Sequence, residues 1–172
     1  MRFFSTLLIL VFLIPVQSAY SFTAGDIPIQ DEGRIKPLDT YARNYLLAFY
    51  GKRSIPELDL SATDWLLDLI LDPAKGKNQK IFNIRNPEVV SSIFLDWSTD
   101  HKYSFNQVLP GLKKQTSLLK LIDDKPANIR TVFEKQLLEL SLNIMRFEEI
   151  SYLKSLKLIP SEISENHEEW IS

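Results

Sequence analysis

The chain has 172 residues, with 20 basic against 22 acidic side chains, two histidines and no cysteine, for a formal net charge of −2. The absence of cysteine excludes disulfides, thiolate metal sites and a lipid-modified cysteine, and the near balance of charge argues against a general nucleic-acid binder, which carries a basic stripe. With 45% hydrophobic residues, the chain is long and apolar enough to build one core without covalent staples.

The N-terminus opens with Arg2 as its one charge and runs apolar from Leu7 to Val16, broken only by Pro15. This is the anatomy of a signal peptide over residues 1–21. Small residues suit cleavage near 18–21: Val16 and Ser18 before Ala19, or Ala19 and Ser21 before Phe22. The run is shorter than the roughly 20 apolar residues of a membrane span, and no later stretch is longer. The expectation is an exported domain at 22–160, in the periplasm or on the outer face of the cytoplasmic membrane. It would have no transmembrane segment of its own after signal cleavage, and an acidic tail at 161–172 would follow it.

The densest punctuation lies in residues 27–43, IPIQDEGRIKPLDTYAR. Ile27 and Ile29 alternate with Pro28 and Gln30, which suits an edge strand because proline donates nothing to a ladder. Asp31-Glu-Gly33 reads as a turn in which Gly33 takes positive φ. Arg34-Ile-Lys36 is the returning arm, and Pro37 leads into a helix whose positive end Asp39 or Thr40 caps or favours. That helix carries Tyr41, Tyr45, Leu46, Phe49 and Tyr50 at helical spacing and stops at Gly51.

After a linker containing Pro56, Ser61-Ala-Thr-Asp64 reads as a capping box with Asp in place of Glu or Gln. It starts a helix with a wide apolar face that ends at Asp72-Pro73 and is therefore central. Residues 74–80 read as a polar loop. Ile81-Phe-Asn-Ile84 is short and β-branched, and the pairing expected for it is with Ile27 and Ile29. Asn86 caps a helix with Pro87 in its first turn and Val89, Val90, Ile93 and Phe94 as its stripe. Ser104 caps a short helical piece broken at Pro110-Gly111, and a further helix runs to Ile122 with Leu112, Leu118, Leu119 and Ile122 inward. From Pro126 to about Leu156 there is neither glycine nor proline, and Ile129, Phe133, Leu137, Leu140, Ile144 and Phe147 recur at spacings of three and four. A continuous helix there would be roughly 45 Å long, more than a small core needs, so it either bends or projects toward a partner. Its mixed charges, Arg130 with Glu134 and Arg146 with Glu149, read as a solvated face. The fold class is mainly α: one helical domain with a short two-stranded β element near the N-terminus and one long C-terminal helix.

The chemistry is sparse. His101 and His167 lie on separate segments, a poor basis for a metal site. There is no GxSxG or HExxH motif and no glycine-rich phosphate loop. The acidic pairs Asp31-Glu32, Asp123-Asp124 and Glu148-Glu149 are explained by solvation, and paired-carboxylate hydrolysis has no positive support. No catalytic or metal-binding residue is assigned. The candidate binding residues are Gln30, Asp31, Gly33, Arg34, Lys36, Asp39, Thr40 and Arg43. Within that set, Arg34, Lys36 and Arg43 either tie the turn through salt bridges to Asp31, Glu32 or Asp39, or form a patch for an anionic group such as a partner's carboxylate or that of haem.

The 27–43 stretch resembles the motif in the extracytoplasmic region that precedes the membrane core of some system II cytochrome c biogenesis proteins, of the CcsA/ResC type and their CcsB-CcsA fusions. The order of the Trp65 helix, the Ile81–Ile84 strand, Tyr103-Ser-Phe105 and the last helix is similar through most of the chain after the signal. The resemblance implies haem presentation, or holding of apocytochrome for haem attachment, outside the membrane. That family's tryptophan-rich, histidine-flanked segment is missing: Trp65, Trp97 and Trp170 are isolated, so no haem ligand carries over. The expectation is a non-enzymatic accessory domain in cytochrome c maturation. Its partner would be a CcsA/CcsB-like integral membrane protein or apocytochrome c, with no stably bound cofactor and at most transient haem contact. The alternative is a periplasmic helical binding or scaffold module unrelated to haem.

Overall fold

The computed structural model describes residues 21–31, 33–152 and 157–158. The expected signal peptide, the acidic tail, His167 and Trp170 lie outside the described residues. The protein is mainly α-helical, with seven helices and three small sheets among those residues.

Strands β1 (Pro28–Asp31) and β2 (Arg34–Pro37) form the expected hairpin, with Ile29 opposite Lys36 and Asp31 opposite Arg34. Gly33 sits at φ +75° in the two-residue turn, a region that glycine enters without steric cost. The ladder runs on to the Leu38 N–H, which donates to the Ile27 carbonyl at 2.9 Å. Pro37 then occupies the N-cap position of α1 (Leu38–Tyr50), and Asp39 lies in the first turn, where a carboxylate suits the positive helix end. Gly51 ends α1 in the left-handed conformation. Strands β3 (Ser54–Ile55) and β4 (Leu60–Ser61) pair across a 3-10 turn at Pro56–Leu58.

Helix α2 (Ala62–Leu71) starts at Ser61, whose Oγ accepts from the Asp64 N–H. Trp65, Leu66 and Leu69 are fully buried, so the helix is central as its wide apolar face suggests. Residues 74–80 are not simply a loop. Asp72 caps Lys75 and starts the short helix α3 (Pro73–Gly76), whose Gly76 packs against Leu69. Strand β5 (Lys80–Asn83) pairs with β6 (Lys102–Ser104) and not with β1, which lies between β2 and β7 (Lys157–Leu158). The reason is that both Ile81 and Phe82 are buried. The strand is covered on two sides and forms part of the core, so it is not an extension of the half-exposed hairpin.

Helix α4 (Pro87–Ser92) is capped by Asn86 as expected. Phe94 differs from expectation: it falls just past the helix at φ +61° and is 65% exposed. Helix α5 (Phe105–Lys114) is opened by a complete Ser104–Gln107 capping box and passes through Pro110 without breaking. The bond that Pro110 cannot make would go to the Asn106 carbonyl. Both residues lie on the exposed face, where water can satisfy that carbonyl. Gly111, on the buried face, lets the helix approach the backbone at Ile93.

Helix α6 (Thr116–Asp123) precedes the longest element, α7 (Val132–Ser151). Its 20 residues give about 30 Å, not the 45 Å expected. The start is displaced by a Thr131–Glu134 capping box. Residues 125–130 instead form a closed turn in which the Arg130 guanidinium donates to the carbonyls of Lys125 at 2.8 Å and Asp123 at 2.7 Å. Arg130 and Glu134 therefore hold the α6–α7 connection, Glu134 through Lys125, and Ile129 is exposed. Leu137, Leu140, Ile144 and Phe147 face the core. Phe147 meets the rings of Phe49, Phe82 and Phe105 with centroids 5.2–5.9 Å apart, which joins α1, β5, α5 and α7 in one core.

Candidate functional site

The eight residues singled out in the 27–43 stretch fold as one unit, but they do different work. In the hairpin, Asp31, Arg34 and Lys36 share the face that Ile29 buries, because side chains alternate along a strand. Lys36 Nζ donates to Asp31 Oδ2 at 2.6 Å, and both side chains are about one-fifth exposed. In α1, Arg43 Nε donates to Asp39 Oδ2 at 2.6 Å, one helical turn away. Asp39 Oδ1 accepts from Thr63 Oγ1 at 3.1 Å, which ties α1 to α2. Gly25 lies so close that an added Cβ would stand 3.1 Å from the Asp39 Cβ. Of the two readings of the cations, the salt-bridge reading accounts for Lys36, paired across the hairpin with Asp31, while Arg43 pairs with Asp39 inside α1 and does not tie the turn.

Gln30, Gly33, Arg34, Thr40 and Arg43 are exposed. Arg34 lies opposite Asp31 but pairs with no acid among the described residues within ion-pair distance. Its neighbour Ile35, not among the eight, is 71% exposed. Among the described residues β2 is the outer strand of its sheet. The Leu38–Ile27 bond fixes the phase of the ladder. The closely bonded pairs are therefore Ile29 with Lys36 and Asp31 with Arg34, and the N–H and C=O of Ile35 face away from β1. The hairpin thus presents an open edge with an aliphatic side chain on one face and a guanidinium on the other.

A second polar cluster, not legible in the sequence, closes the far end of α1. The Tyr50 hydroxyl donates to Glu57, and Lys102 Nζ donates to the Tyr50 oxygen at 2.6 Å and to Glu57 Oε1 at 2.9 Å. These three bonds draw the turn at Pro56–Leu58 onto β6. The Tyr50 hydrogen bond, followed by that of Lys102, holds the Glu57 carboxyl down at about 2. Burial and the bond to Glu57 push the Tyr50 phenol up, and the bond to Tyr50 does the same for the Lys102 ammonium. A phenol held protonated beside a lysine held charged supplies neither a nucleophile nor a base near neutral pH, so the cluster works as a strap.

His101 has φ +54°, gives its carbonyl to the Ile84 N–H at 2.8 Å, and rests its ring on Trp97 at 4.6 Å. Its Nδ1 is buried without a hydrogen-bond partner among the described residues. Among those residues no three His, Asp or Glu side chains converge in a metal-binding group, and no helix is long and apolar enough to cross a membrane. No protein-family model matches the chain, and no curated protein matches it significantly.

Proposed function

We propose that this chain is a non-catalytic accessory domain in cytochrome c maturation, exported to the outer face of the cytoplasmic membrane. It contacts a CcsA/CcsB-like membrane protein, or the apocytochrome presented to it, through the open edge of the 27–37 hairpin. The resemblance of residues 27–43 to the motif of system II proteins suggests the process. The observation that carries the contact is the edge itself: Ile35 and Arg34 are exposed on a strand whose outer side is unpaired among the described residues. An extended segment of a partner can add to such an edge, with main-chain hydrogen bonds giving affinity and Ile35 and Arg34 giving selectivity. Lys36 and Asp31 support this contact by bracing the two strands of the hairpin, and Asp39 and Arg43 by stiffening the first turns of α1 behind it. Haem is at most a transient neighbour, and the chain holds no cofactor.

The test is capture from detergent-solubilised membranes with the wild-type chain and with Arg34→Ala/Ile35→Asp, alongside haem staining of c-type cytochromes in a deletion strain. Recovery of a multispanning protein with a tryptophan-rich, histidine-flanked segment, lost in the double variant, is the expected result. Normal cytochrome c levels in the deletion strain, with capture only of unrelated envelope proteins, would leave a helical scaffold module and overturn the maturation role.

A further inference from the structure

Helix α7 carries two apolar stripes. Leu137, Leu140, Ile144 and Phe147 face the core. Leu138, Leu142 and Met145 recur beside them at spacings of four and three, so they form a neighbouring strip along the same helix. This second stripe is one wall of a groove of about 470 Å³. The opposite wall comes from Leu109 of α5 and from Thr116, Leu119, Lys120 and Asp123, which share one face of α6. Leu112 and Ile144, both buried, close the bottom. The apolar walls are accessible: Leu142 is 43% and Met145 54% exposed, and Leu109, Leu119 and Leu138 are only partly buried. Single exposed leucines are ordinary, but a contiguous apolar groove between three helices marks a contact surface.

The charge around the groove is positive. Lys113 and Lys120 line it, and neither enters an ion pair among the described residues. The carboxylate in the lining, Asp123, faces the Arg130 guanidinium at 3.8 Å. The occupant that fits is therefore both apolar and acidic, and the chain contains such a segment. Residues 159–172, outside the described residues, hold four glutamates and no lysine or arginine, with Trp170-Ile171 directly after Glu168-Glu169.

The segment is long enough to arrive. Leu158 lies seven residues beyond Ser151, the end of α7. At no more than about 3.5 Å per residue, and with about 9 Å of helix back to Met145, Met145 is within about 34 Å of Leu158. Trp170, twelve residues past Leu158, reaches about 40 Å. The groove runs only about 10 Å along α7 from Leu138 to Met145, too short for the roughly 1,200–2,000 Å² interface of two separate proteins. A tethered segment needs less contact, because its effective concentration is of millimolar order.

We propose that the groove between α5, α6 and α7 is the docking site of this chain's own acidic segment, residues 159–172. Trp170 seats against Leu119, Leu142 and Met145, and Glu168 and Glu169 meet Lys113 and Lys120. This contact depends neither on the hairpin edge nor on cytochrome c maturation.

The chain has two methionines, Met1 and Met145, so methyl NMR of the full chain labelled with carbon-13 methionine reads the groove through one resonance. An indole ring seated on Met145 displaces its methyl signal. The expected result is loss of that displacement in Trp170→Ala and in Glu168→Lys/Glu169→Lys. Adding Lys113→Glu/Lys120→Glu to the second variant should restore it by reversing both partners. Circular dichroism and thermal unfolding establish that each variant keeps the fold. Coincident Met145 signals in wild type and Trp170→Ala overturn the assignment and leave the groove to another occupant. A displacement that grows with protein concentration overturns it as well, because the segment would then come from a second copy. Failure of the charge reversal to restore the signal in a folded variant overturns the Lys–Glu pairing and the docking site built on it.

Discussion

Gly111→Ala sets two physical effects against each other, and the structure says which wins. Alanine in a helix interior is worth about 1 kcal/mol over glycine, so propensity alone makes the change stabilising in α5. Gly111, however, faces the chain just after α4. An added Cβ would fall inside contact distance of the Ile93 carbonyl oxygen and only 2.8 Å from both the carbonyl carbon and the Cβ of Ile93. The obstacle is largely backbone and cannot rotate aside, so the cost belongs at the upper end of overpacking, about 3 kcal/mol. The net is a loss of about 2 kcal/mol, or a Tm lower by roughly 4–8 °C for a domain of this size. Thermal unfolding followed by far-ultraviolet circular dichroism reads the difference directly. Gly33→Ala serves as control: its Cβ meets nothing within 4 Å, and only the positive φ of +75° opposes it, at about 1 kcal/mol. A Tm for Gly111→Ala equal to or above that of wild type would refute the close approach of α5 to Ile93.

Glu57→Gln tests the strap through pH. Because the folded protein holds this carboxyl at about 2 against an ordinary 4.5, its ionised form stabilises the fold fully above about pH 4.5 and progressively less as pH falls toward 2. The Tm gap between wild type and variant should be constant near neutrality and close in that acid window; a gap independent of pH would contradict the strap. Phe147→Ala removes the ring that joins three others and should cost about 3–5 kcal/mol in urea denaturation, with Phe147→Leu markedly milder; similar small losses for both would deny the aromatic core. Lys36→Gln and Ile35→Asp should separate support from contact. The first lowers Tm by a few degrees, equivalent to about 1 kcal/mol, and leaves partner capture intact. The second leaves Tm unchanged and abolishes capture, and the reverse pattern would return recognition to the cations.

Where the chain's geometry is set by neighbours in sequence, the elements could be read before any coordinates. The hairpin is specified by Gly33, the end of α1 by Gly51, and the helix starts at Ser61, Asn86 and Ser104 by side chains that cap within three residues. Errors arose where a local signal has two uses. Pro110-Gly111 has the composition of a break. Here, however, the proline stands on the wet face, and the glycine serves a contact with Ile93, 18 positions earlier in the chain. The uninterrupted stretch after Pro126 has the period of a helix. It begins six residues late, nearly two turns, because Thr131 and Glu134 form a better cap than Asp123 or Asp124, and because Arg130 satisfies the carbonyls at the end of α6.

The candidate sites divide along the same line. A turn with its cations can be seen in seventeen consecutive residues, but which cations are already neutralised depends on strand register and on Thr63, 24 positions from Asp39. The strap joins residues 50, 57 and 102, and a cleft at the end of α1 brings that helix together with Arg85 and α7. Helix α1 is the common member of all three. Its first turn anchors the hairpin, its middle carries Phe49 into the core, and its terminal carbonyls are covered by Asn83 and Asn143. A sequence read in windows finds α1 as an amphipathic helix, yet its three neighbourhoods are assembled from residues up to 95 positions away. An amide donor on a distant helix leaves no periodic trace, so Asn143 looks like any polar residue on the last helix until its partner at Ala48 is in place.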